Sequence, residues 1–588
     1  MPINWLQQFF VFSLYYRRFF VPLQPMRHLL TVMLSLLCTA VYAQMRINGR
    51  PVVYDYQANT MMVTIPQQHF GSSRTYTVEL DEGWSDLRIN GSKVNGSYFF
   101  RSIAGGKTYP MTVRNRDMYV ITSSITFTFL PIVHLEGDFG YDYQQATVSV
   151  YMPDEASKAQ LTGKIKWRGG TTNAADKHKR NYKIKFDDDV QLFGLRKDDS
   201  WILDAGQADL FRLRNRIATE LWNDMARKPY YADQEPEALS GVRGRVVELF
   251  LNREYRGIYC LTEAMDRKEM KLKKVDKNTG EIRGCLYKSA GYGASMMYNY
   301  PSVYDNKSET WDTFEVKYPE LDDAPETDWS TLWNAINFVA TSSDDEFRKH
   351  ISEYFDIPAL IDYFVFINAL NACDNVGKNM YWAVYDKNKD KRLTPAVWDL
   401  DLSAGSKMLD YYLTGTAGAH SPEYKMEPHI NLTYRLSTLN VDGWNDAVAK
   451  RYRELRQSVL STDSLVKRYA EYFDQLDFSG AAAREEELWS EDSDVKGEEI
   501  DFESEIYYIT YWLARHMQYL DEHVFKPTTN PTDGIHEVEN SYDTPTSASG
   551  FNTPASTPVY NLNGQKINRL DGMHKGIYIK DGKKYIVR

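Results

Sequence analysis

A change of hydrophobic period part-way along the chain limits its fold more than any other feature. From about Gln44 to Pro131 apolar and polar residues alternate in short runs, such as Tyr76-Thr-Val-Glu-Leu80 and Ile121-Thr-Ser-Ser-Ile125, broken by Asn90-Gly91 and Asn95-Gly96. Alternation with Asn-Gly punctuation predicts strands joined by tight turns, and hence a small β-sandwich. Alternation continues through Lys164–Phe186 and through a hairpin, Val246–Leu251 with Tyr255–Thr262. A three-to-four spacing then takes over. Leu210, Leu213, Ile217, Leu221 and Met225 line one face of a helix over 209–225. Asp356 caps a second helix with Pro358 in its first turn, and residues 446–526 read as mostly helical. Strands followed by helices over 132–527 predict an α+β, two-lobed domain.

Composition places the chain among globular proteins, with 43% hydrophobic residues. A net charge of -11 leaves no basic excess to displace counterions from a nucleic acid backbone, so nucleic acid is not an expected partner. The N-terminus has the three parts of a secretory leader: Arg27 and His28, the apolar run Leu29–Cys38, and small residues ending at Ala43. Residues 1–43 are therefore expected to be a signal peptide, with Met26 a candidate true start. The remaining Cys260, Cys285 and Cys373 are too widely spaced for a zinc site or a disulfide scaffold. No later apolar run is long enough to span a membrane. The expected location is exported, at the cell surface or outside the cell.

Phosphoryl transfer needs a cation for the phosphates, a carboxylate for the attacking hydroxyl, and an Asn and an Asp for the metal. Asp374 and Asn379 are separated by four residues directly after the second helix, and Asp399 follows a hairpin over 380–398. That order matches the catalytic end of a kinase, although Asp and Asn at this spacing also occur as ordinary turn residues. Lys183 and Lys185 lie two apart on a strand and share a face, so either can meet phosphates, with Lys185 preferred. If the chain is extended, Asp401 shares a face with Asp399.

The stretch 364–401, with Asn371-Ala-Cys-Asp374, Lys378-Asn379 and Pro395-Ala-Val-Trp-Asp-Leu-Asp401, resembles the CotH (spore-coat protein H) kinase family. Further blocks resemble it in the same order: Lys166-Trp-Arg168-Gly169, Arg180-Asn-Tyr-Lys183-Ile-Lys185, Leu213-Arg214-Asn215 with Glu220, and Val247-Glu248 through Glu263. The resemblance implies an atypical kinase using ATP with Mg²⁺ or Mn²⁺ on a protein or glycan acceptor. It implies Asp374 as the catalytic residue and Asn379 and Asp399 as metal ligands, with Asp401 a metal ligand or a carboxylate behind them. Arg168, Lys183 and Lys185 would meet phosphates, Glu220 would pair with that lysine, and Leu261 and Glu263 would sit where a hinge meets adenine. Arg214 would meet a phosphate or a carboxylate. Two segments depart from the pattern: Gly170–Asn181, where Arg180-Asn181 stands in place of a lysine pair, and Ser295–Asn306, which is expected to bear on acceptor choice.

The composition turns to Pro, Thr, Ser and Asn over 528–558, the mark of a linker. Residues 559–588, with Leu562-Asn-Gly-Gln565, Gly576-Ile-Tyr-Ile579 and a final Arg588, resemble the sorting domain of proteins exported by the type IX secretion machinery of Bacteroidetes. A non-catalytic kinase-fold surface module, binding polysaccharide or matrix protein, is the alternative function.

Overall fold

The computed structural model describes residues 45–525, apart from 157, 175, 414–417 and 427–429, together with four strands between 559 and 587. The expected leader over 1–43 and linker over 528–558 lie outside the described residues. The protein is a mixed α and β structure with a β-rich N-terminal region.

That region holds a four-stranded and a six-stranded sheet. Asn90 and Gly91 both take positive φ, 49° and 75°, which closes the hairpin Ser85–Ile89 to Ser92–Lys93. Inward residues of the two sheets meet as aromatic pairs, with Phe100 of one 5.1 Å from Phe127 and Tyr109 of the other. The region also joins the helices near the C-terminus. A Cβ on Gly105 would lie 2.1 Å from the backbone carbon of Ser479, so only glycine allows this approach. Arg484 donates to the Gly105 carbonyl at 3.0 Å beside it.

Seven strands then close into a barrel: β1 (Ile132–Gly137), β2 (Gln144–Tyr151), β3 (Lys158–Arg168), β4 (Asn181–Gln191), β5 (Lys197–Asp204), β6 (Gly244–Leu251) and β7 (Glu254–Glu263). The order is β1-β2-β3-β4-β5-β7-β6, and a parallel pairing of β1 with β6, Ile132 opposite Glu248, closes it. Ile165, Ile184, Trp201, Leu203, Leu249 and Leu261 fill the interior. On β4, Tyr182, Ile184 and Phe186 are buried, and the alternation turns Lys183 and Lys185 to the outer face.

Helix α1 (Arg214–Met225) crosses from β5 to β6. It begins five residues later than expected because the Asp209 carboxylate accepts from the backbone N–H groups of Phe211 and Arg214, at 2.9 and 2.6 Å, holding 209–213 as a turn. Arg214 itself is fully buried between Asp209 and Glu505, each at 2.6 Å. Of its two expected partner types, a carboxylate is the one it finds. Removing one partner of such a buried set costs about 3–5 kcal/mol.

A second sheet follows, from β8 (Cys285–Ser289), β9 (Thr310–Trp311), β10 (Phe314–Tyr318), β11 (Met380–Val384) and β12 (Thr394–Val397), in the order β9-β10-β8-β11-β12. Helices α2 (Ser330–Thr341), α3 (Asp344–His350) and α4 (Ile357–Ala369) separate its strands in sequence. Asp356 caps α4, accepting from the Ala359 N–H at 3.4 Å. Helices Asn431–Thr438, Trp444–Arg456, Thr462–Ser479, Ala481–Trp489 and Phe502–Tyr519 complete the region. Among the described residues, no helix is long and apolar enough to cross a membrane. Cys260, Cys285 and Cys373 are free thiols. The tail contributes a four-stranded sheet from Val559–Asn561, Lys566–Ile567, Gly576–Lys580 and Lys583–Val587, whereas Leu562–Gln565 and Arg588 lie outside the described residues.

Candidate active site

The outer face of the barrel carries rows of side chains that run across its strands. Arg168 lies opposite Asn181 in one row, and Lys166, Lys183, Ile202 and Thr262 form the next. Lys164, Lys185 and Ser200 form a third, two residues farther along each strand. The first two rows border a cleft of about 470 Å³, closed on its other sides by Asn215, Arg216 and Thr219 of α1 and by Val397, Trp398 and Asp399 at the end of β12.

Asp374 sits in a single turn, Cys373–Asn375, just beyond α4. It is buried, and both its oxygens are engaged. Asn379 donates from Nδ2 to Oδ2 at 2.7 Å, and Lys378 reaches Oδ1 and Oδ2 at 2.8 and 3.0 Å. The Tyr292 hydroxyl donates to Oδ1 at 3.1 Å. Asn379 has a positive φ of 51°, a conformation Asn tolerates better than most residues, and its N–H donates to the Ser289 carbonyl at the end of β8. The loop is fastened to the Asp399 side by Asn375, whose Nδ2 donates to the carbonyls of Asn379 and Trp398 at 3.0 and 2.7 Å. On the barrel side Asn215 donates to Asp204 at 2.6 Å and accepts from the Leu400 N–H at 3.1 Å. Asn375 and Asn215 thus hold three separate segments of the site in register.

Asp399 opens to solvent at the end of β12. Loss of water around the carboxyl pushes its pKa up and Asp374 adds to that, while Arg168, Lys288 and Lys378 oppose it. Asp401 is raised well above the ordinary carboxylate range, by burial first and then by Asp399, Asp204, Asp209 and Asp374. The four charges acting most on Asp401 are all negative, which is the setting a divalent cation relieves. The Asn379 Nδ2 bond to Asp374 leaves its Oδ1 available as a third oxygen. Two carboxylates and an amide oxygen make a hard donor set that suits Mg²⁺ or Mn²⁺. Among the described residues, ligand atoms of three His, Cys, Asp or Glu side chains converge within 4.8 Å in two places, His178–Asp492–Asp494 and Asp189–Asp198–Asp199, and neither is at Asp399. The chain is not extended between Asp399 and Asp401, since Asp399 has φ 58°. The expectation that they share a face of an extended segment is corrected.

Arg168 lines the cleft and interacts electrostatically with further cations, Lys183 and Lys288. Burial lowers the pKa of Lys183; Glu320 opposes this, and Arg168, Lys166 and Lys317 add to it. Lys288 on β8 is lowered in the same way, by burial and by Arg168 and Lys317 against Glu315 and Asp399. The Arg168 guanidinium stacks 5.3 Å from the Trp398 ring. Like charges held this close, half out of water, favour an anion between them. Lys183 belongs to this group, whereas Lys185 is exposed in the row beyond it, beside Asp199. On this geometry Lys183, rather than Lys185, is the lysine that shares its surroundings with Arg168.

Three other expected site residues have structural work instead. Glu220 meets neither lysine: it accepts from Tyr472 at 2.6 Å and pairs with Arg216 at 3.3 Å, because α1 turns that face toward the C-terminal helices. Leu261 faces the barrel interior, and β7 is paired on both edges, by β5 and β6, so its backbone groups serve the ladder and none is left for adenine. Glu263 is buried and holds the Arg196 N–H at 2.7 Å and the Arg243 guanidinium at 2.8 Å. Thr262, between them in sequence, is the residue that lines the cleft.

Sequence reasoning assigned no role to Asp204, Asn215, Lys288, Asn375 or Tyr292. Lys378 enters the sequence pattern only as the neighbour of Asn379. Its four-residue distance from Asp374 was a usable signal for the ion pair, whereas Lys288 and Tyr292 lie around a five-residue strand too short to stand out.

Among curated proteins no match to the chain is found. The sequence model described as CotH kinase protein matches residues 165–520. That span takes in Lys166, Arg168, Lys183 and Lys185, α1, the Asp374 loop, Asp399 and the helices packed behind them, and it is more than half of the chain. The chain belongs to the CotH kinase protein family.

Proposed function

We propose that the protein is an exported atypical kinase that transfers the γ-phosphate of ATP to a hydroxyl of a protein or glycan, with Mg²⁺ or Mn²⁺. Family membership speaks for kinase-like chemistry and, in general, for ATP and a divalent metal. The observation that carries the reading is the arrangement at Asp374, where one buried carboxylate is fixed by Asn379 and Lys378 and still reaches a hydroxyl through Oδ1. In this reading the barrel and the helical part with the second sheet are the two lobes of a kinase-like domain, and the nucleotide lies in the cleft between them. Arg168, Lys183 and Lys288 hold phosphate oxygens, and Asp374 orients the acceptor hydroxyl and takes its proton. Asp399, Asp401 and Asn379 would hold the metal, which when bound neutralises charge on the phosphates. The leader over 1–43 and the sorting tail over 559–588 carry the protein through the type IX secretion machinery to the cell surface or beyond.

A second reading, a non-catalytic module for polysaccharide or matrix protein, is favoured by one observation: the strand expected to offer a hinge to adenine is fully paired within the barrel. The test is incubation of the full chain with γ-labelled ATP and Mg²⁺ or Mn²⁺, beside Asp374→Ala and Asp399→Ala. Transfer lost in both variants supports the kinase, and a folded wild-type chain that binds no nucleotide supports the binding module.

A further inference from the structure

The Asp374 carboxylate is already met by a hydroxyl of the chain itself. Tyr292 lies three residues beyond β8, in the sequence Gly291-Tyr292-Gly293, and its hydroxyl donates to Asp374 Oδ1 at 3.1 Å. Its ring stands 5.6 Å from the Lys378 ammonium, the cation that also holds Asp374. The side chain is 49% exposed, so it is not a core tyrosine satisfying a buried carboxylate. The base of the segment is nevertheless anchored: Asn379 donates to the Ser289 carbonyl at 3.0 Å, Ala290 to the Thr313 carbonyl at 2.8 Å, and Ala294 to Asp312 at 2.8 Å. An anchored segment therefore presents a solvent-facing phenol to the carboxylate that receives the acceptor hydroxyl.

We propose that Tyr292 is a modification site, a built-in acceptor phosphorylated by its own chain. The inference rests on the kinase reading above. The phenol oxygen forms a bond to the γ-phosphorus as the bond from that phosphorus to the β,γ-bridging oxygen breaks. ADP leaves with the electron pair, and the phenol proton passes to Asp374. The product carries a charge of about −1.5 to −2, which the Asp374 carboxylate repels, so phosphorylation expels Tyr292 and vacates the acceptor position.

The experiment is peptide mass spectrometry of the full chain after incubation with ATP and Mg²⁺, with calorimetric nucleotide binding in parallel. Phosphate is expected on Tyr292, at a fractional rate unchanged by hundredfold dilution, and is absent from Asp374→Asn and Tyr292→Phe. In nucleotide-free protein, Tyr292→Phe is expected to speed hydrogen exchange of residues 290–297 several-fold. ADP formation without phosphate on Tyr292, a rate that scales with protein concentration, or unchanged exchange overturns the proposal. Wild-type protein that binds no nucleotide overturns the kinase reading itself.

Discussion

Asn379 donates from Nδ2 to Asp374 Oδ2 at 2.7 Å, joining two residues of one loop. In the proposed kinase, the bond fixes the amide so that its oxygen is left for the metal and its nitrogen holds the base. Asn379→Ala removes both, and the Mg²⁺ concentration needed for half-maximal transfer is expected to rise about 10–100-fold. Initial rates over a Mg²⁺ series measure it.

Asp399 is the carboxylate expected to hold the metal most directly. A ligand that binds only the folded chain stabilises it by about 2.7 kcal/mol at one hundred times its Kd. Mn²⁺ with a non-hydrolysable ATP analogue is expected to raise the wild-type melting temperature and to leave Asp399→Asn unmoved, as read by calorimetry.

Lys183 and Lys185 separate cleanly. Lys183 shares its surroundings with Arg168, and Lys185 is exposed one row farther out. Lys183→Ala is expected to raise the KM for ATP about tenfold, a loss of roughly 1.4 kcal/mol, within the range of a hydrogen bond to a charged group. Lys185→Ala is expected to change it less than twofold.

Stability should respond to pH through Lys179. Its ammonium is fully buried against Glu485, which also holds Arg212 at 2.7 Å and the Ile258 N–H at 2.7 Å. Burial pushes the Lys179 pKa down to about 7, against the pull of Glu485 and with Arg212 adding to the fall. The unfolded value is about 10.4. Between those values the unfolded chain holds the extra proton, so this group makes stability rise with pH, by up to about 1.4 kcal/mol per unit, and its effect is flat below about 7. The buried thiols of Cys260 and Cys285, pushed up to about 12, act in the opposite sense above about 8.5. The difference between wild type and Lys179→Met therefore isolates the lysine. Urea unfolding at pH 7, 7.5 and 8 is expected to show that difference growing in favour of wild type. Glu485→Gln is expected to cost about 3–5 kcal/mol, because it leaves two buried cations short of a counter-charge.

Local pattern carried much of the architecture. The strands around Lys164–Phe186, the hairpin at Asn252, the helix capped by Asp356 and the strand–turn–strand before Asp399 were all legible, because each is set by near neighbours. Closure of the barrel was not, since the pairing of Ile132 with Glu248 joins residues far apart in sequence. That closure overturned the hinge expectation: pairing on both edges of β7 takes up the backbone at Leu261. Glu220 failed for a related reason. Periodicity places it on an amphipathic helix, but which neighbour covers each face depends on Tyr472, some 250 residues on. The Asp374–Asn379 spacing was readable because it lies in one loop, whereas Asn215 and Lys288 reach the cleft only through tertiary packing.

The most direct test of the central claim is the single-turnover rate of ADP formation from enzyme-bound ATP with Mg²⁺, compared between wild type and Asp374→Asn. In the proposed mechanism, a carboxylate that orients the hydroxyl and takes its proton would account for roughly 10²–10⁴-fold in rate. A fall of that size with nucleotide affinity unchanged is the predicted result. Equal rates in the two proteins, or bound ATP that is never turned over by wild type, would contradict it.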